Sequence, residues 1–102
     1  MWYDQLLQDL LELQDESKAP GMSAYMRSRF PFLGVSRPER KVLRARHFAK
    51  PAAAIDKAFV ELCFAKEERE YQHLAIDYLY VHRKLLLPED LPWLKRLVST
   101  KS

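Results

Sequence analysis

Cysteine, glycine and long apolar runs are scarce in this chain of 102 residues. Cys63 is the sole cysteine, so an internal disulfide framework is excluded, and its apolar helical position predicts a buried, inert thiol. No continuous apolar run approaches the roughly 20 residues that span a bilayer, and acidic residues near the start argue against a signal peptide. The sequence therefore predicts one soluble, cytoplasmic domain without a membrane segment.

The sequence also lacks histidines and cysteines at the spacing typical of metal ligands. His47, His73 and His82 are scattered along the chain, and none pairs with another histidine at i, i+4 or with a cysteine at zinc spacing. We therefore predict no metal site and no cofactor.

The charge that is present is concentrated in one block. Residues 1–16 carry a net charge of −5, residues 17–50 carry +8, and residues 51–102 are balanced. A cationic block of this kind raises the local potential and favours an anionic partner, of which nucleic acid is the leading example. The alternative is an ordinary solvated surface.

Hydrophobic periodicity predicts an all-α fold of about six helices, because strand alternation is weak throughout. Phe30-Pro31 ends the second helix, since the residue before a proline avoids the helical region. Ser36 and Glu39 form a capping-box pattern with Pro38 in the first turn of the third. The predicted helices cover approximately residues 2–14, 20–30, 36–49, 51–65 and 67–85, and a sixth follows Pro88.

Short connections predict that sequential helices pack as antiparallel hairpins. Pairs of helices with short turns are typical of an α-α superhelix of the HEAT-like or ARM type. A separate six-helix bundle is the competing architecture.

Three blocks of sequence carry a family resemblance. Residues 30–41, FPFLGVSRPERK, resemble the F-x-F-L-G-I-x-x-P-E-R-R signature of bacterial DNA alkylation repair glycosylases of the AlkD type. Residues 68–79, EREYQHLAIDYL, resemble that family's E-R-E-(F/Y)-Q-x-x-A-(I/L)-D segment, and residues 91–102, LPWLKRLVSTKS, are similar to the helix that leads into its active site. The blocks occur in the family's order and spacing.

The resemblance implies a HEAT-like solenoid whose concave basic face holds duplex DNA containing alkylated purines. It also implies hydrolysis of the N-glycosidic bond of cationic N3- or N7-alkylated purines, without flipping of the base. The family's catalytic aspartate belongs to a Trp-Trp-Asp run that would directly follow residue 102. We therefore expect residues 1–102 to be the N-terminal part of the repeat domain, with no catalytic residue of its own, inactive alone but retaining part of the DNA-backbone surface.

Five residues are predicted to contact DNA. Tyr25 matches a family tyrosine beside the lesion, where an aromatic face would attract a cationic base; the alternative is a core tyrosine. Ser36 and Arg37 begin the third helix, where free amide groups suit a phosphate, although Ser36 can also act as a pure N-cap. Arg40 and Arg44 share a helix face and are candidates for backbone contacts.

Asp77 lies within an otherwise apolar helix. A lone carboxylate there can be a general base, but a structural role toward a neighbouring helix or loop is the preferred interpretation.

Two other functions remain open. Leu33-Gly34-Val35-Ser36-Arg37 resembles the turn of a helix-turn-helix DNA-binding module, although Phe30-Pro31-Phe32 interrupts the helix that should precede it. A helical protein-interaction adaptor is the third possibility, and uncovered helix faces could drive self-association of the fragment.

Overall fold

The computed structural model describes residues 1–101 and confirms the all-α prediction. Ser102, the last residue of the third resemblance block, lies outside the described residues. Six α-helices and two single 3-10 turns, Arg83–Leu85 and Pro88–Asp90, account for the regular structure, and residues 1–101 contain no strand. The α-helices are α1 Asp4–Glu12, α2 Ala19–Tyr25, α3 Arg37–His47, α4 Lys57–Ala65, α5 Arg69–Val81 and α6 Leu91–Ser99.

The predicted capping box sets the start of α3. The Ser36 hydroxyl accepts a hydrogen bond from the Glu39 N–H, and the Ser36 N–H donates to the Glu39 carboxylate at 3.0 Å. Pro38 occupies the first turn, where its missing N–H costs nothing. Local sequence therefore determines this helix boundary.

Helix α2 is shorter than predicted, ending at Tyr25 instead of near residue 30. Arg27 and Ser28 adopt left-handed backbone conformations, with φ of 58° and 56°. The Ser28 N–H donates to the Ser23 carbonyl at 2.8 Å, which closes the helix several residues before Phe30-Pro31. This backbone turn, and not the proline, explains where the helix stops.

Two other predicted boundaries were wrong. Helix α4 begins at Lys57 instead of near Pro51, because the Asp56 carboxylate caps it by accepting from the Phe59 N–H at 3.1 Å. Ile55 thus lies outside the helix, although it packs against the core. Helix α5 ends at Val81, and the residues up to Leu85 form a 3-10 turn.

The helices contact one another in a continuous series. Helix α3 packs against α1 and α5, and α4 packs against α5 and α6. The connection from α4 to α5 is only residues 66–68, so these two helices form a hairpin. This arrangement is consistent with a helical repeat fold.

The core is apolar and aromatic. Leu6, Leu43, Phe59 and Leu74, from four different helices, are fully buried or nearly so. Cys63 is also buried, as predicted, and burial raises the pKa of its thiol to about 12. The thiol is therefore protonated at neutral pH and unsuited to nucleophilic chemistry.

A buried carboxylate holds the loop that leads into α3. Glu70 Oε1 accepts from the Leu33 N–H at 2.9 Å, and Oε2 accepts from the N–H groups of Gly34 and Val35 at 3.0 and 3.1 Å. Glu70 is completely buried. Charge-assisted bonds to three consecutive backbone donors are strong, so this side chain fixes the loop and the origin of α3.

Candidate nucleic-acid interface

Helix α3 presents a cationic concavity, which we call the α3 concavity. Arg37, Lys41 and Arg44 recur at i, i+4 and i+7, so they follow one face of the helix. With Pro38, Arg40 and Asp77 they line a depression of about 440 Å³. The structure therefore brings together three predicted DNA-contact residues, Arg37, Arg40 and Arg44, and adds Lys41.

Arg40 is the most enclosed cation of the α3 concavity. Its Nε is buried and has no hydrogen-bond partner within residues 1–101. Burial lowers the pKa of Arg40, and the nearby charges of Asp77 and Glu70 oppose that shift. Arginine stays protonated in proteins, so Arg40 contributes a positive charge to the wall of the concavity.

Asp77 is the carboxylate of the α3 concavity. Its Oδ1 lies 3.9 Å from Arg44 Nη1, so the side chain pairs α5 with the neighbouring helix. This contact fits the structural role preferred from sequence. It also places one negative charge among the cations.

Ser36 serves α3 as its N-cap, and this limits what the helix start can offer an anion. The Ser36 N–H is already bonded to Glu39, Pro38 has no N–H, and the Glu39 N–H is bonded to the Ser36 hydroxyl. The Ser36 N–H and the Ser36 hydroxyl both donate to the Glu39 carboxylate, and these two hydrogen bonds lower its pKa, so the carboxylate is ionised at the helix start. Of the first three positions, only Arg37 keeps a backbone donor for a ligand, and a phosphate contact by Ser36 stays a prediction.

Tyr25 lies on a second depression, the Tyr25 concavity, of about 570 Å³. Its side chain is 88% exposed, so the alternative of a core tyrosine is wrong. The other residues that line this concavity are Ser17, Lys18, Gly21, Met22, Met26, Phe32 and His73. An exposed aromatic ring beside methionines and a phenylalanine forms an apolar floor on which a planar base could stack.

His73, which was not predicted to be a site residue, lies on α5 between the Tyr25 concavity and the α3 concavity. It lines the Tyr25 concavity, and one turn later on α5 Asp77 lines the α3 concavity. Burial and the positive charges of Arg40 and Arg69 lower its pKa to about 4, so the imidazole is neutral at pH 7. Its position in the E-R-E-Y-Q-H block was visible in the sequence, but its neighbours were not.

The connection between α2 and α3 differs from a helix-turn-helix motif. It comprises eleven residues, 26–36, whereas that motif joins its helices by three or four. The helix-turn-helix alternative therefore lacks its defining turn.

Other classes of site receive no support from residues 1–101. These residues contain no group of three or more histidine, cysteine, aspartate or glutamate side chains placed to hold a metal ion. Within the same range, every helix is too short or too polar to cross a bilayer.

Comparison with known proteins identifies the family. A search of curated proteins finds no match to this chain. The family model described as DNA alkylation repair enzyme, in contrast, matches residues 6–102, which is nearly the whole chain. Together with the helical fold and the cationic α3 concavity, this match shows that the chain belongs to the DNA alkylation repair enzyme family.

Proposed function

We propose that this chain supplies part of the DNA-binding surface of a glycosylase that excises cationic N3- or N7-alkylated purines from duplex DNA. The observation that carries the proposal is the α3 concavity, in which Arg37, Arg40, Lys41 and Arg44 converge beside an exposed aromatic floor. Phosphates supply most of the affinity in protein–DNA complexes, and clustered arginines and lysines are their usual partners.

Within this proposal the residues have distinct roles. Arg37 and Arg44 bind backbone phosphates, the half-buried Arg40 sets the local potential, and Ser36 orients Arg37 by capping α3. Tyr25 faces the nucleotide, because an electron-rich ring attracts a purine that alkylation has made cationic. Such a purine is already a good leaving group, so the reaction needs stabilisation of the sugar cation more than a general acid.

The resemblance assigns stabilisation of the sugar cation to the aspartate of a Trp-Trp-Asp run. No such run occurs in the 102 residues. We therefore expect binding without excision: release of N7-methylguanine, measured by chromatography, should equal that of the protein-free control. Release above that control would contradict the assignment.

The binding surface is tested by removing exposed cations from α3. The variant Arg37→Ser/Lys41→Ser/Arg44→Ser should bind an undamaged duplex at least tenfold more weakly in fluorescence anisotropy. Its plot of log K against log salt should be shallower by about 0.9 for each phosphate that the variant no longer neutralises.

The matched control is Lys84→Ser/Lys95→Ser/Arg96→Ser, which also removes three exposed cations but none that lines the α3 concavity. This control should retain nearly all of the affinity. Equal losses in the two variants would mean that overall charge and not the α3 concavity binds DNA. Binding confined to one operator sequence would favour a transcriptional regulator instead.

A substitution of Asp77 should change duplex affinity in the opposite direction. Replacing it by asparagine removes the negative charge of the α3 concavity and frees Arg44 from its ion pair. We expect duplex affinity to rise about threefold at low salt and the gain to shrink as salt is added, because screening weakens charge interactions. Anisotropy titrations compare it with Glu89→Gln, an exposed carboxylate outside the concavity, which should change affinity less. A weaker-binding Asp77→Asn protein would show that the Arg44 ion pair positions this surface.

A further inference from the structure

A separate pocket lies at the ends of α3 and α5, and we call it the Trp2 pocket. Its volume is about 360 Å³, which suits a small ligand. His47 is the last residue of α3, and His82 directly follows the last residue of α5. The other residues that line the pocket are Trp2, Lys50, Pro51, Ala52, Ala54, Asp56 and Tyr78. None of these residues lines the α3 concavity or the Tyr25 concavity.

The Trp2 ring is a wall of this pocket that is already held in place. Trp2 is 42% exposed, yet its indole N–H donates to the Asp56 carboxylate at 2.7 Å and its ring stacks on Tyr78 with centroids 5.5 Å apart. The Tyr78 hydroxyl accepts from the Asp56 N–H at 2.8 Å, so these three residues fix one another. A ligand that binds against the Trp2 ring therefore does not have to order it, which favours affinity.

Asp56 gives the Trp2 pocket a fixed negative charge. Its Oδ2 accepts from the Trp2 indole and its Oδ1 accepts from the Phe59 N–H at 3.1 Å, and both donors are neutral. Within residues 1–101 this carboxylate forms no ion pair. The charge is therefore held rigidly beside an aromatic ring, without a cation of the described chain to neutralise it.

The backbone adds negative potential to the same place. The last carbonyl groups of an α-helix lack partners within the helix, and its C-terminal end carries about half a negative charge. Helices α3 and α5, of 11 and 13 residues, both end at the Trp2 pocket. The two arginines in the last turns of α3 are engaged elsewhere, Arg44 with Asp77 and Arg46 with Asp9. The fixed features of the pocket therefore favour a cation.

Lys50 opposes a cation in the Trp2 pocket. Its side chain is exposed, lies on the loop between α3 and α4, and forms no hydrogen bond or ion pair within residues 1–101. A long lysine side chain can turn its charge toward water, whereas the carboxylate and the helix ends stay in place. Lys50 should therefore lower the affinity for a cation without abolishing it.

We propose that the Trp2 pocket binds a free, small alkylammonium cation against the Trp2 ring and the Asp56 charge. The negative face of an aromatic ring attracts cations, and aromatic pockets are a known means of recognising quaternary ammonium groups. Pro51, Ala52 and Ala54 supply apolar contacts for the alkyl groups. A hard metal ion does not fit, because it needs several open oxygen ligands and both Asp56 oxygens already accept hydrogen bonds. This site is independent of the proposed function.

The test compares choline with 3,3-dimethylbutan-1-ol, which has the same shape but carbon in place of the charged nitrogen. The chain's two tryptophans are Trp2 and Trp93, so a Trp93→Phe background makes tryptophan fluorescence report on Trp2 alone. We expect choline to bind about tenfold more tightly than the alcohol. Phosphatidylcholine vesicles present the same headgroup on a surface, and we expect them to bind more weakly than choline.

Three variants in the same background locate the ligand and give the sign of the charge effect. Lys50→Met should raise choline affinity about threefold, because it removes the opposing charge. The matched control is Lys95→Met, which removes an exposed cation that does not line the pocket and should leave choline affinity unchanged. Ala54→Leu fills the pocket and should abolish binding of both probes. Circular dichroism checks that each variant is folded.

Five outcomes would overturn the inference. They are no choline binding by the parent protein, equal affinity for choline and the alcohol, weaker choline binding by Lys50→Met, unchanged binding by Ala54→Leu, and vesicles bound more tightly than choline. No DNA is present in these titrations, so each of these results leaves the proposed function standing. Conversely, a chain that fails to bind duplex DNA but binds choline as expected would contradict the proposed function alone.

Discussion

Replacing Glu70 by alanine should lower the free energy of unfolding by about 4 kcal/mol or more and leave little folded protein at 37 °C. The substitution removes three charge-assisted hydrogen bonds and leaves the N–H groups of Leu33, Gly34 and Val35 buried without acceptors. An unsatisfied buried donor costs far more than the net value of the hydrogen bond it made, and here three are created together. Urea denaturation followed by circular dichroism measures the effect.

The conservative variant Glu70→Gln sharpens this prediction. The glutamine amide has the same shape as the Glu70 carboxylate but only one oxygen that can accept. Its NH₂ group therefore faces at least one of the three backbone donors, which loses its acceptor. We therefore expect an intermediate loss of about 2–3 kcal/mol. The control is Glu67→Gln, an exposed change in the same segment, which should stay within about 0.5 kcal/mol of wild type. If Glu70→Ala unfolded at the wild-type urea concentration, Glu70 would not hold the loop.

Alanine at Gly34 should be the most damaging addition of a single methyl group in this chain. Gly34 has φ of +89°, which an L-residue with a Cβ rarely adopts, so strain accompanies any substitution. A Cβ here would also lie 2.7 Å from the Asp15 carbonyl carbon and closer still to its oxygen. That contact is with backbone, which cannot rotate away, and the Asp15 N–H is itself bonded to the Leu33 carbonyl at 3.0 Å. We expect a loss above about 4 kcal/mol or failure to fold.

The chain's other glycine is a matched control. Gly21 lies within α2, and a Cβ added there would meet no atom within 4 Å. Alanine favours a helix over glycine, so Gly21→Ala should be neutral or stabilising by up to about 1 kcal/mol. Thermal melts of the two variants should therefore differ, with Gly34→Ala shifted to lower temperature and Gly21→Ala unchanged or raised. A stable Gly34→Ala protein would mean that the loop against Asp15 can move.

Substitutions of Glu70 and of Gly34 should also weaken DNA binding, because these two residues position the start of α3. The same loop carries Ser36, and the cations of the α3 concavity follow it directly. A destabilised but folded variant, such as Glu70→Gln, should therefore lose duplex affinity although it removes no cation from the surface. The site and the fold are coupled through one buried carboxylate.

Patterns of local origin were predictable from the sequence. The capping box of Ser36 and Glu39 places the start of α3 because its hydrogen bonds span only three residues. The buried face of α5 also has a local origin, since helical spacing alone aligns Tyr71, Leu74, Ala75 and Tyr78 on it. The clustering of Arg37, Arg40 and Arg44 follows in the same way from one helix.

Helix ends that depend on distant partners were not predictable. Helix α4 begins six residues later than expected because Asp56, which caps it, is held by the Trp2 indole N–H at 2.7 Å, and its own N–H donates to the Tyr78 hydroxyl. Periodicity cannot detect such contacts, because they join residues far apart in the chain. Glu70 was hidden for the same reason: a glutamate in the first turn of a helix looks like an ordinary favourable charge.

By itself, the sequence determined that the chain is helical, that its positive charge is concentrated in one block and that it resembles a DNA repair family. Only the tertiary structure decided that Tyr25 is exposed, that His73 lines the Tyr25 concavity, and that Arg29 and Lys101 line one depression although 72 positions separate them in the sequence. The physical reason is the distance along the chain over which each kind of interaction acts. Helix propensity and capping act over a few neighbouring residues, whereas a binding surface is assembled by packing between helices, which brings together side chains that the sequence keeps apart.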